Sequence, residues 1–430
     1  MATDVDVQFF SHLNGLTLSN NWGDLIRLLD KALVTGIDFT QITEASINEQ
    51  GNVHITLYSA HNAMLFQVVE MTGFTPQSLN QKYRIKGVPS TTQLILKPET
   101  DIIERSITIT GAAKLASLGY DIIFRDTNDV KRVYRAKNPT EQHPFIRVDE
   151  STASDTGTYT ATYAKAAMVG LLEHMDHIDD LDNELVYQLP YDPENITKNW
   201  DISGTGTAVM RGWSKWYWFG STTESGTMAS PIAQQKFTLF GDKDAFYFLT
   251  SHYHANGYTK EKYLNGCGLF DSALDTDVIP NWFLMTYLNR ATAASSYISR
   301  QSRDYTNPIL GSQPLTSAQS RSAFFLPKYN LVNRLSAHVS ALGIMPGETG
   351  GRSNLYPQGA GALSFPFNDA DGFIRGTLKH VAYCGKSLTP IEQTTPYLYG
   401  NEIYLFDSAV HNTYNNFYGG FYVYLGNLGE

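Results

Sequence analysis

"NNWGDLIRLLDKALVTGIDFTQITEASINEQGNVHITLYSA", residues 20–60, changes its hydrophobic period midway, and that change decides the fold class. In its first part Leu25, Leu28, Leu29, Ala32 and Leu33 recur at three- and four-residue spacing, the stripe of an amphipathic helix. Asn21 or Asp24 is expected to accept from the free amides of the first turn, and Gly36 to end the helix. Past Gly36 the period drops to two, and "TEASINEQGNVHITLYSA" reads as a hairpin turning near Gln50, Gly51 and Asn52. The runs "LFQVVEM", "KYRIKGV", "TQLILK", "RSITITG", "DIIFRD", "KRVYRA" and "PFIRVDE" follow, with turn chemistry between them. The expectation is an N-terminal helix packed on a β-meander, with Leu25, Ile26, Leu29 and Leu33 buried, as an α+β anchoring module over residues 1–150.

Residues 151–200 read as an acidic connecting segment. Its "TYAKAAMVGLLEHM" has helix-forming composition, and the run at 173–194 contains no Lys or Arg. Residues 201–430 read as a mostly-β, sandwich-like domain with loop insertions. "FTLFGDKDAFYFL" is expected to be two buried strands joined by a tight turn at Gly241–Asp244, and short helices are expected around "IPNWFLMTYLNRA". The overall expectation is a β-rich, α+β chain.

With 430 residues the chain exceeds the roughly 250–300 residues at which single cores stop growing. Its two cysteines, Cys267 and Cys384, stand far apart and suit neither a disulfide framework nor a zinc site, so folding in a reducing compartment is expected. The start "MATDVDVQFF" has no leader pattern and no apolar run is long enough to cross a bilayer, which reads as a chain without membrane insertion. A net charge of −10 repels phosphate backbones and argues against a nucleic-acid partner. Charged residues make up 17% of the chain against a usual level of about 25%, while Tyr, Phe and Trp reach 13%. Neutral, aromatic surfaces of that kind suit protein contacts or sugars.

The order of these features resembles a module of tailed-bacteriophage virion proteins of the tail or baseplate. The resemblance rests on the helix at Trp22–Gly36, on His61, and on Gly73 through Leu79 with Asn80, Tyr83, Arg84 and Ile85. It continues through "GYDIIFRDTNDVKRVYRA" at 119–136, Phe145–Asp149, "FTLFGDKDAFYFLT", "GIMPGE" at 343–348 and "EIYLFD". Residues 301–333 and the Tyr-rich tail have no counterpart in it. The resemblance implies that "YAKAAMVGLLEHMDHIDD" is a strand running into a loop. It also implies a structural component of the virion and not an enzyme, assembled in the host cytoplasm. Such a tail, baseplate or fibre-attachment subunit would contact other virion proteins and further copies of itself. A receptor- or glycan-binding tail protein and a head-decoration or connector protein are the alternatives.

No catalytic residue, cofactor or metal ligand is nominated. Glu173, His174, Asp176, His177, Asp179 and Asp180 in the acidic 173–184 segment match no metal spacing and read as a solvated loop, with a divalent-ion site as the alternative. His252 and His254, on one face of an expected strand, could ligate zinc only with two further partners and read as cross-strand packing or an interface contact. "FNDADGF" fails as a calcium loop because Phe367 replaces the first acidic ligand and Leu378 stands where the bidentate Glu belongs. Gly204 and Gly206 lack the Lys-Ser/Thr of a phosphate loop. The aromatic cluster Trp213, Trp216, Tyr217, Trp218 and Phe219 is the main candidate. Alternation puts Trp216 and Trp218 on one face and Tyr217 and Phe219 on the other, one face for the core and the other for a protein interface or a glycan.

Overall fold

The apolar stripe of residues 20–36 is buried as its spacing requires: Leu25, Ile26, Leu29, Ala32 and Leu33 have no exposed surface. The computed structural model describes residues 3–152, 165–203, 210–212, 214–219, 234–250, 263–274, 280–288, 324–328, 339–343, 363–369, 372–383, 391, 393–412 and 417–429. The helix occupies residues 24–35 and is not the first element, since strand Gln8–Ser11 and a short 3₁₀ turn precede it. A six-residue α-helix, Asp24–Leu29, continues into a π-helical turn, Asp30–Thr35, where the Gly36 amide donates to the Lys31 carbonyl at 2.8 Å. Gly36 has φ +73°, and a Cβ there would lie 2.1 Å from the Leu115 carbonyl oxygen. Only glycine ends the helix in that space. Two late carbonyls of the helix, Ala32 and Leu33, accept from the amides of Leu118 and Gly119 at 3.0 and 3.2 Å.

Around this helix the chain is β-rich and built of several antiparallel sheets. The first has seven strands in the order Ile37–Asp38, Ala112–Leu115, Val68–Thr72, Lys82–Ser90, Gln93–Pro98, Val53–Leu57 and Ile42–Ile47. The hairpin turn falls near Gly51 as expected, with the Asn48 amide donating to the Asn52 carbonyl at 3.0 Å. "RSITITG" is not a strand. Among the described residues its one β-bridge is that between Thr75 and Ile109, and Ile109 is exposed.

A second sheet runs Tyr287–Leu288, Ser214–Phe219, Lys165–Leu172, Phe145–Asp149, Lys131–Ala136 and Tyr120–Arg125, with Gln188–Leu189 beside Lys165–Leu172. "KAAMVGLL" is therefore a strand, buried at every position, and helix propensity yields to its pairing on both sides with Phe145–Asp149 and Ser214–Phe219. The third sheet has thirteen strands, starting at Gln8–Ser11 and Phe237–Gly241 and ending at Ile374–Tyr383, Phe417–Asn427, Glu402–Asn412 and Thr395–Tyr399. The hairpin of Phe237–Gly241 with Ala245–Thr250 is present, its turn tied by the Asp242 carboxylate accepting from the amides of Asp244 and Ala245. "NWFLMTYL" forms strands Trp282–Met285 and Tyr287–Leu288 instead of a helix. A continuous apolar run is ambiguous by period, and here neighbours on both edges of Trp282–Met285 decide it.

Sheet membership does not follow chain order across residues 150 and 200. Gln8–Ser11 pairs with Phe237–Gly241, and the second sheet draws on residues 120–219 and 287–288. One large core takes in the helix stripe, the inner face of the first sheet, and Trp216 and Trp218; a second collects Phe9, Phe240, Tyr247, Phe283, Phe421 and Val423 under the third sheet.

Candidate docking face

The aromatic cluster is interior. Trp216 and Trp218 lie in the larger core with no exposed surface, and Tyr217, from the same strand, lies in the second core at 1% exposure. The Trp216 indole donates to the Met285 carbonyl at 2.9 Å and the Trp218 indole to the Ser19 carbonyl at 3.1 Å. A register shift opposite Lys165 and Ala166 skips Trp218, and Phe219 joins the core of the two tryptophans instead of sharing the face of Tyr217. These side chains hold layers together and offer no surface to a partner or a sugar. Trp213, His252, His254, Gly204 and Gly206 lie outside the described residues.

The acidic segment is partly tied into the fold. Asp179 accepts from Lys131 Nζ at 2.7 Å and from Arg147 at 2.8 Å, whereas His174 and Asp176 pair with each other, exposed, at 3.0 Å. Among the described residues no group of three or more His, Cys, Asp or Glu side chains is arranged to hold a metal ion. Nor is any described helix long and apolar enough to cross a membrane.

Asn80, Tyr83, Arg84 and Arg147 act as internal ties. Asn80 copies a backbone edge: its Oδ1 accepts from the Phe74 amide at 2.7 Å while its Nδ2 donates to the Phe74 carbonyl at 3.0 Å. The Tyr83 hydroxyl donates to the Leu79 carbonyl at 2.8 Å. Arg84, fully buried, makes five hydrogen bonds to four carbonyls: Asp4 twice, at 2.9 and 2.7 Å, Val7 at 2.9 Å, Phe66 at 2.8 Å and Leu425 at 2.8 Å. Burial lowers its pKa to about 10, which leaves it protonated at neutral pH. One guanidinium therefore joins the chain start, the first sheet and the last strand. Arg147 binds Asp149 at 2.9 Å and stacks over Trp200 at 4.5 Å.

Glu150 answers the question of the helix start. Neither Asn21 nor Asp24 caps it; Asp24 is turned to the Ser19 amide and hydroxyl at 2.9 and 2.6 Å. The Glu150 carboxylate instead accepts from the Gly23 amide and, at 2.8 Å, from the Ile26 amide. Burial raises its pKa to about 7, against the opposing pull of those two amides and of Arg211 and Arg27. Between about pH 4.5 and 7 the folded chain holds this proton and the unfolded chain has lost it, so stability falls as pH rises through that window and is flat above it. The linked change is about 3 kcal/mol. Denaturant titrations of the parent and of Glu150→Gln across pH 4.5–8 should show that the parent's loss is absent in the variant.

The surface with a character of its own is the far end of the third sheet. Residues 387–430 contain seven Tyr, three Phe and neither Lys nor Arg. Strands Glu402–Asn412 and Phe417–Asn427 alternate there: Ile403, Leu405, Phe421, Val423 and Leu425 are buried below, while Tyr404, Phe406, Tyr422 and Tyr424 are half-buried above. Register sets Tyr404 opposite both Tyr424 and Tyr397, and Phe406 opposite Tyr422. The rings form a ladder, with centroids 5.3 Å apart for Tyr404 and Tyr424, 5.8 Å for Tyr404 and Tyr422, 5.2 Å for Phe406 and Tyr422, and 6.0 Å for Tyr397 and Tyr422. Strand Thr395–Tyr399 closes the sheet, pairing among the described strands only with Glu402–Asn412. Its Tyr397, Leu398 and Tyr399 are 44%, 46% and 66% exposed. The Tyr404 hydroxyl donates to the Glu402 carboxylate. A strand edge with no second partner among the described strands, beside exposed aromatic rings, is a surface suited to pairing with another chain. The signal for it is present in "IYLF" at 403–406 and "YVYL" at 422–425, where aromatic and aliphatic residues alternate.

No family model matches the chain, and no curated protein matches it. Among solved structures five chains match. One is the phage phi92 endosialidase, similar at 8% identity and a TM-score of 0.16 over 91% of this chain and 52% of that one. The chain thus spans about half the length of that protein. A likeness at this level assigns neither fold nor function.

Proposed function

We propose that the chain is a structural subunit of a tailed-bacteriophage virion, in the tail, the baseplate or a fibre attachment, working through protein–protein contacts. The observation that carries the reading is the outer aromatic face of strands Thr395–Tyr399, Glu402–Asn412 and Phe417–Asn427, with exposed Tyr397 and Tyr399 on a strand that pairs on one side only among the described strands. Rings of this kind lose little conformational entropy on contact, which is why interfaces are rich in them. The ordered series of motifs that resembles phage tail modules supports the same reading, because its polar members Asn80, Arg84 and Arg147 are spent on internal ties. Other virion proteins and further copies of the chain are the partners in this proposal, and the particle is its location. It requires no cofactor and no catalytic step.

Exposed tyrosine rings also stack on sugars, and that observation favours a second reading, a receptor- or glycan-binding tail protein. A head-decoration or connector role belongs to the first reading, at a different site in the particle. Mass spectrometry of density-purified particles separates these from a non-virion role. The chain is expected in stoichiometric amount with the tail proteins. Its presence only in the lysate, never in particles, would overturn the proposal.

A further inference from the structure

The same aromatic face carries information about the chemistry of what covers it, and the inference rests on the reading of that face as a protein contact. Its backbone edge, Thr395–Tyr399, pairs with no second described strand. Pro396 lacks a donor, so the half from Tyr397 to Tyr399 is the part able to accept an added strand. The rings beside it lean on one another at interplanar angles of 38° to 67° and form a ribbed surface instead of a flat platform.

The charge on the face has one sign. Glu402 lies at its rim, and across the strand pair Asn427 receives the Asp4 amide at 2.9 Å, which brings a second carboxylate to the same corner. The Asp4 side chain lies directly against Gly426. Both carboxylates act on Tyr424: after burial, Glu402 and Asp4 are the causes that raise its hydroxyl pKa. Residues 387–430 carry no Lys or Arg; Asp4 already lies in the field of the buried Arg84, so Glu402 is the carboxylate to which no cation of this segment answers.

We infer that this face takes an extended protein strand bearing arginine or lysine. Such a strand would meet the open backbone edge, lay its cations over the tyrosine rings and place them beside Glu402 and Asp4. A second copy would bring to this face a segment, residues 387–430, that carries no Lys or Arg to meet Glu402. A neutral glycan would bring no counter-charge to Glu402.

The test uses the full chain and end-blocked heptapeptides that alternate threonine with arginine, or threonine with citrulline, titrated by calorimetry at low salt. Maltoheptaose serves as the neutral sugar, and sedimentation velocity reports self-association. The arginine peptide is expected to bind about tenfold tighter than the citrulline peptide. That preference should fall to below about threefold in Glu402→Gln and weaken with added salt. Tyr399→Ser, at an exposed position that folding does not need, should weaken both peptides. Equal binding of the two peptides overturns the cation inference while leaving the protein-contact reading in place. Failure of both peptides to bind, maltoheptaose binding that Tyr399→Ser abolishes, or concentration-dependent dimers that Tyr399→Ser dissolves, would each overturn it as well. Absence of the chain from particles would overturn the virion reading instead, so the two failures are distinguishable.

Discussion

Arg84→Met is expected to destabilise the folded chain by more than about 4 kcal/mol, enough to abolish or nearly abolish folding. The substitution keeps most of the volume and removes the donors. The carbonyls of Val7, Phe66 and Leu425, buried, and of Asp4, partly buried, then lose their bonds to the guanidinium, and each buried bond left unmade costs about 1–3 kcal/mol. Arg84→Lys should recover little, because a single ammonium cannot fan donors to four carbonyls at once. Denaturant midpoints measure the loss. Hydrogen exchange locates it: in Arg84→Lys the amides of residues 4–11 and 421–427 should lose protection ahead of those in the first sheet. Unchanged midpoints in both variants would mean that the chain start and the last strand are held by other contacts.

The second large effect is at Leu29, which has no exposed surface and sits in the core between helix and sheets. Leu29→Asp places an unpaired carboxylate there and is expected to unfold the protein, at a cost above about 3 kcal/mol. Circular dichroism and gel filtration of the purified variant check this directly. A variant that folds normally and fails only in particle assembly would make the helix a docking element and contradict its assignment as an internal one.

The helix could be read from sequence because its information is local: a stripe of Leu and Ala at helical spacing and a glycine where the chain must turn. Its cap could not. Glu150 stands far along the chain from Gly23 and Ile26, and nothing in its own neighbours separates a buried capping carboxylate from a surface one. Arg84 was visible as a member of a recurring pattern, yet its role was hidden because its acceptors are backbone carbonyls, which every residue carries. The Trp216 cluster drew attention by composition. Its alternation correctly separated Trp216 and Trp218 from Tyr217, while the register shift that moved Phe219 depends on the partner strand Lys165–Leu172. Helix composition misled at "KAAMVGLL" and "NWFLMTYL" for one reason: buried strands with neighbours on both edges lose the period of two that marks a half-exposed strand.

The aromatic face shows the opposite case. Tyr404, Phe406, Tyr422 and Tyr424 alternate with Ile403, Leu405, Val423 and Leu425 plainly enough to give two strands, but tyrosine suits an interior and an exterior equally well. Only the register and the burial of the paired strands show which side faces outward.

A cryo-electron microscopy map of the intact particle tests the central claim most directly, since it reports both whether the chain is there and what lies against residues 395–427. The expected result is density for the chain in the tail or baseplate, or at a fibre attachment, with Tyr397 and Tyr399 buried under a neighbouring protein. A particle map without the chain, or one in which that face stands open to solvent while another surface makes the contacts, would contradict the account.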